Sequence, residues 1–331
     1  MKIAITGGAG FIGRHLTKTY LDAGHDVIVI DNLCYGGTQQ EIDPRARFYQ
    51  VDIREHEFDS ILQHEQPAVV SHHVSQCGLL QQRQHPISDA DIHIRGLLHV
   101  LASCVNAAVQ RFIFASCGMG LYAPQEERIV VDEDAPLHPF GANEITKLAG
   151  EWYVRHYTCH YGLNHVILRY THIYSESHPT GPYYQLHPIN YFIIQLAQGI
   201  APVIRGSGET LHDHLYIHDA VQANLLALKQ GTNQTLHISS GSGATLNQIY
   251  QIIAHLLGST IAPTYLSGSG METMPLVLDN SRARHVLGWQ PEVSLQEGIQ
   301  RVICWHQSIK EGENHRPLLD NEQDGHILTG V

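Results

Sequence analysis

The chain has 331 residues, 43% apolar and 16% charged, a globular composition that excludes a disordered chain and suffices for one large domain with a smaller lobe. Its net charge of -12 and the lack of any Lys/Arg cluster argue against nucleic acid as the main partner, because phosphate backbones are held by grouped cations. The 25 histidines reduce that negative charge below about pH 6.5, where imidazoles protonate.

In chain order, Lys2 to Thr6 is a short apolar run suited to a central parallel strand, covered by helices on both faces. Gly7, Gly10 and Gly13 follow at a spacing of three. The first permits a sharp turn, the second lets a pyrophosphate approach the backbone, and the third lets the helix pack closely on the strand. Free amides at the helix start, with the positive end of its dipole, suit phosphate. Val27 to Ile30 form a second strand ending in Asp31, about twenty residues past the glycines, where a carboxylate accepts hydrogen bonds from both adenosine ribose hydroxyls and repels a 2'-phosphate. These residues predict NAD as cofactor in preference to NADP.

Helix and strand patterns then alternate: helix near 11–23, strands near 26–30 and 47–51, helix near 56–63, strand near 68–72, helix near 88–108 and strand near 111–116. The alternation predicts an α/β fold with a Rossmann-type doubly wound parallel sheet and ligands at the carboxyl ends of its strands. Asp52, Val74, Ser75, Gln76 and Ser116 fall at such ends. After residue 165 the rhythm loosens. Val166 to Arg169 reads as another sheet strand, followed by a Pro-, Tyr-, His- and Gly-rich stretch over 174–190 and a helix near 188–198. Short strands near 203 and 214–217, a helix near 219–229, a strand near 235–238 and helices near 246–257, 280–286 and 295–310 complete the pattern. The predicted organisation is an NAD-binding domain over 1–165, a smaller α/β substrate lobe over 166–310 with one strand returning to the main sheet, and a flexible tail over 311–331. No stretch approaches the roughly twenty apolar residues of a membrane helix, and the first residues enter a strand directly, so a cytoplasmic protein is expected. Cys34, Cys77, Cys104, Cys117, Cys159 and Cys304 show no Cys-x-x-Cys spacing, which predicts neither structural zinc nor a disulfide framework.

With these pieces placed, ITGGAGFIGRHL from Ile5, DNL at 31–33, VDIR at 51–54, VSHHVSQ at 70–76, RFIFASCGMGLY at 111–122, KLAGEWY at 147–153 and LRYTHIY at 168–174 resemble the NAD-dependent epimerase/dehydratase family of extended short-chain dehydrogenases/reductases. GSGETLHDHLYIHDAVQANLLAL and RARHVLGWQPEVSLQEGI carry the likeness to about residue 310. The resemblance implies that Gly7, Gly10, Phe11, Ile12 and Gly13 build the pyrophosphate site, Asp31 and Asn32 the adenosine ribose site, and Asp52 and Ile53 the adenine site. Val74, Ser75, Gln76 and Ser116 would line the cofactor, Tyr170 would lie near the nicotinamide, and Lys147 would bind the nicotinamide ribose. That lysine also lowers the pKa of a nearby phenol in the family, because a positive neighbour favours the ionised form.

The chain departs from the family at that phenol. Four residues before Lys147 stands Asn143, an alternative alignment puts Phe140 there, and none of Lys2, Lys18, Lys147, Lys229 or Lys310 has a Tyr four residues earlier. An amide does not titrate in the useful range, so a non-standard acid/base is required, with Lys147, Ser116 and a His sharing the work around Asn143. The assisting Ser/Thr of the family aligns with Gly118 or Cys117, with Ser116 close by. Two substrate-binding arginines are replaced, one by His212 and one around Met274; His172 stands for an Asn, and Tyr174-Ser175-Glu176 for a Tyr-Gly-Pro loop. His172, His212, Cys117 and Gly118 are the candidate substrate residues, and His172 or His178 the candidate replacement acid/base. His can replace Arg only in part, mainly at acid pH. His212, His214 and His218 alternate along the predicted strand and would share a face with Tyr216, but with no carboxylate or Cys cluster beside them no metal is predicted. His72, at the end of a strand with His73, reads as structural. Tyr122 is a further candidate proton donor. Trp152, Tyr153 and Tyr157 share the Lys147 helix at spacings that suit packing, and the resemblance implies a homodimer through paired helices. Two functions are expected: an NAD-dependent epimerase/dehydratase-like enzyme acting on a small-molecule sugar or nucleotide sugar, or an NAD-binding protein of the same fold that has lost catalysis and serves as a regulatory subunit.

Overall fold

The computed structural model describes residues 1–34, 37–75, 85–122, 130–176, 187–267 and 276–312. The first half runs β1 (Lys2–Thr6), α1 (Phe11–Asp22), β2 (Asp26–Asp31), β3 (Arg47–Gln50), α2 (His56–Glu65), β4 (Val69–His72), α3 (Pro86–Ala90), a π-helical turn (Asp91–Gly96), α4 (Leu97–Asn106), β5 (Arg111–Cys117), β6 (Val130–Val131) and α5 (Ala142–Tyr161). The second half runs β7 (Asn164–Tyr170), β8 (His172–Tyr174), α6 (Pro188–Ala197), β9 (Val203–Arg205), β10 (Leu211–Tyr216), α7 (Ile217–Ala227), β11 (Gln234–Ile238), β12 (Gly243–Thr245), α8 (Leu246–Leu257), β13 (Thr264–Leu266), β14 (Val277–Leu278), α9 (Ser281–Leu287) and α10 (Leu295–Gly312).

Ile3, Ala4 and Ile5 of β1 are wholly buried, as a strand covered on both faces must be. β1 pairs in parallel with β2 on one side and β4 on the other, and the seven-stranded sheet has the order β11-β7-β5-β4-β1-β2-β3. The chain reverses its winding between β1 and β4, and a doubly wound sheet opens a crevice at the carboxyl ends of such strands. α1 lays Gly13, Leu16, Thr17 and Tyr20 against one face at helical spacing.

The predicted helix near 88–108 is one continuous run from Pro86 to Asn106, interrupted by the π turn at Asp91–Gly96. Two strands from beyond residue 163, β7 and β11, join the main sheet where one was expected. Tyr174, Ile189, Phe192, Ile204 and Leu215 belong to the same apolar cluster as Ile3 and Leu16, so the C-terminal part packs on the sheet through a shared core. The strand expected at 214–217 spans Leu211–Tyr216; His218 therefore lies on α7, half exposed and 4.0 Å from Glu292 Oε2, off the face it was expected to share with His212 and His214. α10 runs to Gly312; the rest of the expected tail lies outside the described residues.

Candidate active site

Gly7 closes the turn after β1 with φ of 73°, and a Cβ there would lie 2.7 Å from the His73 carbonyl carbon. Gly13 is tighter: its Cβ would come within 2.4 Å of Gly7 O, so α1 seats on the turn only because no side chain intervenes. Asp31 ends β2 and clamps the turn, accepting from Ala9 N at 3.0 Å and from Leu33 N at 2.9 Å. Burial raises its pKa, opposed by those two amides. Asn32 Nδ2 donates to Asp52 Oδ2 at 2.9 Å, and the hydrogen bonds from Arg54 hold the Asp52 carboxyl down at about 2. Gly7, Gly10, Asp31, Asn32, Asp52, Ile53, Val74 and Ser75 line one cleft together with Val51, His73 and Ile92. Phe11 and Ile12 open α1 at its edge and pack on the core, leaving the first-turn amides without helical partners. Gln76 lies outside the described residues. A turn closed to side chains, amides at the start of a helix and a carboxylate at the end of the neighbouring strand fit a dinucleotide.

Lys147, on α5, is 6% exposed. Its Nζ donates to Ala115 O at 3.0 Å and to Val74 O at 3.1 Å and lies 5.3 Å from the Phe114 ring centre. Desolvation lowers its pKa to about 8, against the pull of Cys117 and Asp89. Asn143 is one helical turn earlier, its Oδ1 buried without a hydrogen-bond partner among the described residues. Among the described residues no tyrosine hydroxyl bonds to Lys147: the Tyr170 phenol accepts from Asn224 Nδ2 at 2.7 Å. Cys117 Sγ donates to Met119 O at 2.8 Å, and burial, with Glu144, pushes its thiol up to about 12. Gly118 has no room for a hydroxyl-bearing side chain, since a Cβ would meet Leu278 Cδ1 at 2.4 Å and Tyr170 O at 2.9 Å.

Ser116, expected beside the cofactor, turns its hydroxyl to Glu151 Oε1 at 2.6 Å. Glu151 is fully buried and grips Arg169 with two hydrogen bonds, Nε to Oε1 at 2.8 Å and Nη2 to Oε2 at 2.7 Å. Arg169 Nη1 donates to Tyr122 Oη at 2.7 Å, Tyr122 donates to His237 Nε2, and His237 Nδ1 donates to Asp279 O at 3.1 Å. Tyr122 is thus an interior link and not a free proton donor. Sequence reasoning missed this network; its signals were Glu151, one turn beyond Lys147 on α5, and Arg169, a charge inside the apolar run of β7.

Parallel pairing sets His172 of β8 beside His214 of β10, their ring centres 5.5 Å apart. His212 lies 5.7 Å from His172, and His187, which sequence reasoning missed, lies 5.5 Å from His214. His172 faces solvent but is hemmed in by protein, and desolvation with the neighbouring His212 lowers its pKa to about 4. Burial, then His172, takes His187 to about 3. The cluster is therefore neutral at physiological pH: a set of hydrogen-bonding rings and not an anion clamp. Asp213, between His212 and His214, accepts from Ser240 N at 2.9 Å and Ser240 Oγ at 2.7 Å and secures the loop beside them. His72 accepts or donates at Thr6 Oγ1 (2.7 Å) within stacked Phe112 and Phe114, a packing role. His178 and Met274 lie outside the described residues.

Among the described residues no helix is long and apolar enough to cross a membrane. A model of the NAD dependent epimerase/dehydratase family matches residues 3–239. A Methanocaldococcus jannaschii protein is 33% identical over 304 residues, covering 92% of this chain and 97% of its own. The UDP-glucose 4-epimerase of Thermotoga maritima, solved with UDP-glucose, superposes with a TM-score of 0.89 at 31% identity, covering 94% of this chain and 100% of that one. The Thermus thermophilus UDP-glucose 4-epimerase, solved with NAD, gives 0.84 at 27% identity, with 93% and 99% covered. With that match added to a parallel sheet, a glycine turn and Asp31 at the end of β2, the chain belongs to the NAD-dependent epimerase/dehydratase family.

Proposed function

We propose that this chain is an NAD-dependent epimerase or dehydratase of nucleotide sugars in which Lys147 itself carries the proton that the family pattern gives to a phenol. In this reading residues 1–165 hold the cofactor and most of 166–310 the substrate, and likeness to an enzyme solved with UDP-glucose supports the substrate class.

The observation that carries the reading is the setting of the Lys147 amine. Two carbonyls take two of its N–H groups. The remaining tetrahedral direction then holds a proton when the amine is charged and a lone pair when it is neutral. A pKa of about 8 makes both forms accessible near neutral pH, as a group that is base and then acid requires. When bound, NAD supplies hydride acceptance and return at a hydroxyl carbon. Lys147 removes and returns the hydroxyl proton. The other titratable groups around the amine are Cys117 on β5, Asp89 and His93 on the helix beginning at Pro86, and His72 and His73 at the end of β4. Burial drives His72, His73 and His93 below their ordinary range and the thiol far above it, so Lys147 is the group to titrate near pH 8. His172, His212 and Cys117 contact the substrate in this reading. Exposed Ile145 and Trp152 on α5 support a homodimer.

The test is the pH profile of UDP-glucose/UDP-galactose interconversion. We expect kcat/KM to rise through a limb centred near pH 8. A flat profile from pH 7 to 9 would remove the role given to Lys147, and NAD binding without turnover of any nucleotide sugar would favour a cofactor-binding protein without catalysis.

A further inference from the structure

We infer that the outer rim of the cofactor domain carries a divalent transition-metal site built from His56, Asp59 and His99. His56 and Asp59 lie three residues apart on α2, so they share a face, and His99 reaches them from α4. One ligating atom from each residue lies within 4.8 Å of the others, the only such His/Cys/Asp/Glu trio among the described residues.

The donor geometry suits a cation. His99 Nδ1 lies 2.6 Å from the Ile53 carbonyl, which can only accept, so the ring turns its Nε2 to the site. That Nε2 lies 3.0 Å from Asp59 Oδ2, and His56 Nδ1 converges on the same carboxylate oxygen at 3.8 Å, so two imidazole nitrogens and a carboxylate oxygen surround one point.

The supporting contacts are those of a metal site. An imidazole whose far nitrogen is fixed on a backbone carbonyl presents its other nitrogen in one tautomer, and a carboxylate held by a neighbour keeps its orientation. Ser103 supplies the second: its hydroxyl lies between Asp59 Oδ1 and His99 O (2.8 Å) and gives its one hydrogen to the carboxylate. Two imidazoles and a carboxylate suit Zn2+ or Co2+, with a fourth position left to water. The α2 dipole opposes a cation at that helix end, but Glu57 and Asp59 in its first turn offset it. The site meets the cofactor cleft at one residue: the carbonyl that fixes His99 belongs to Ile53, which lines the cleft.

The test uses the full chain and Zn2+ alone. Crystals grown with Zn2+ should give an anomalous peak about 2.0–2.2 Å from His56, Asp59 and His99 ligand atoms. His56 is fully exposed, so His56→Ala leaves the fold intact, and we expect it to weaken Zn2+ binding at this site by about tenfold or more. Equal affinity in the two proteins, or anomalous density only elsewhere, such as at the adjacent His156 and His160 rings on α5, would overturn the site and leave an ordinary ion pair.

Discussion

Two buried cations, Lys147 on α5 and Arg169 on β7, are handled in opposite ways. Arg169 is paired: Glu151 takes it with two hydrogen bonds, and every further group in reach has a partner, from Ser116 through Tyr122 and His237 to the Asp279 carbonyl. Burial disfavours its charge, yet the Glu151 carboxylate more than restores it, and its pKa rises. Among the described residues Lys147 has two carbonyl acceptors and no ion-paired carboxylate; burial prevails over the pull of Cys117 and Asp89, so its pKa falls to about 8. A charge that is compensated holds structure. One left uncompensated can change its protonation, which is what chemistry at a hydroxyl carbon requires.

Three substitutions test that contrast. The largest effect is expected for Lys147→Met: turnover should fall by about 10²–10⁴-fold, the contribution of a positioned acid/base, measured as kcat on UDP-glucose. The same change should stabilise the cofactor-free protein at pH 7 by up to about 3 kcal/mol, from a pKa lowered to about 8, less what the Val74 and Ala115 carbonyls lose. The folded state releases the lysine proton near pH 8 and the unfolded chain near pH 10.5, so native stability rises with pH across that window and the variant's advantage fades; urea unfolding at pH 7 and pH 10 reads it. Next, Arg169→Met should cost about 3–5 kcal/mol in urea unfolding, because it removes the two-bonded partner of buried Glu151 and leaves it only Ser116 and the longer Arg155 contact at 3.3 Å. If the two variants shift stability in the same direction, the contrast is wrong. Smallest is Tyr122→Phe, which removes one donor and one acceptor from the network; about 1–3 kcal/mol of stability should be lost, with kcat unchanged in the folded fraction. A large loss of kcat there would return Tyr122 to the list of proton carriers.

How much of this was legible depended on range. The glycine turn, Asp31 and the seven long strands rest on local pattern, and the sheet assembled as that pattern predicts. Of the two- and three-residue strands only β9 was expected; β6, β8, β12, β13 and β14 carry too few positions for a period to register. His218 was misplaced because alternation was extended past Tyr216, where Ile217 begins a helix. The absence of a phenol before Lys147 was readable from spacing alone. The destination of Ser116 was not, since its partner Glu151 is 35 residues away, and Tyr122 meets His237 at a separation of 115. The crowding of Gly118 by Leu278 likewise joins segments that have no common motif.

That crowding has a practical consequence. Leu278 Cδ1 is the free end of a side chain and can swing aside, but the Tyr170 carbonyl, 2.9 Å from where a Cβ would sit, is backbone, so placing a serine at 118 requires the end of β7 to shift and is not achieved by trimming the leucine alone. A hydroxyl engineered into this pocket has to come from a neighbouring position.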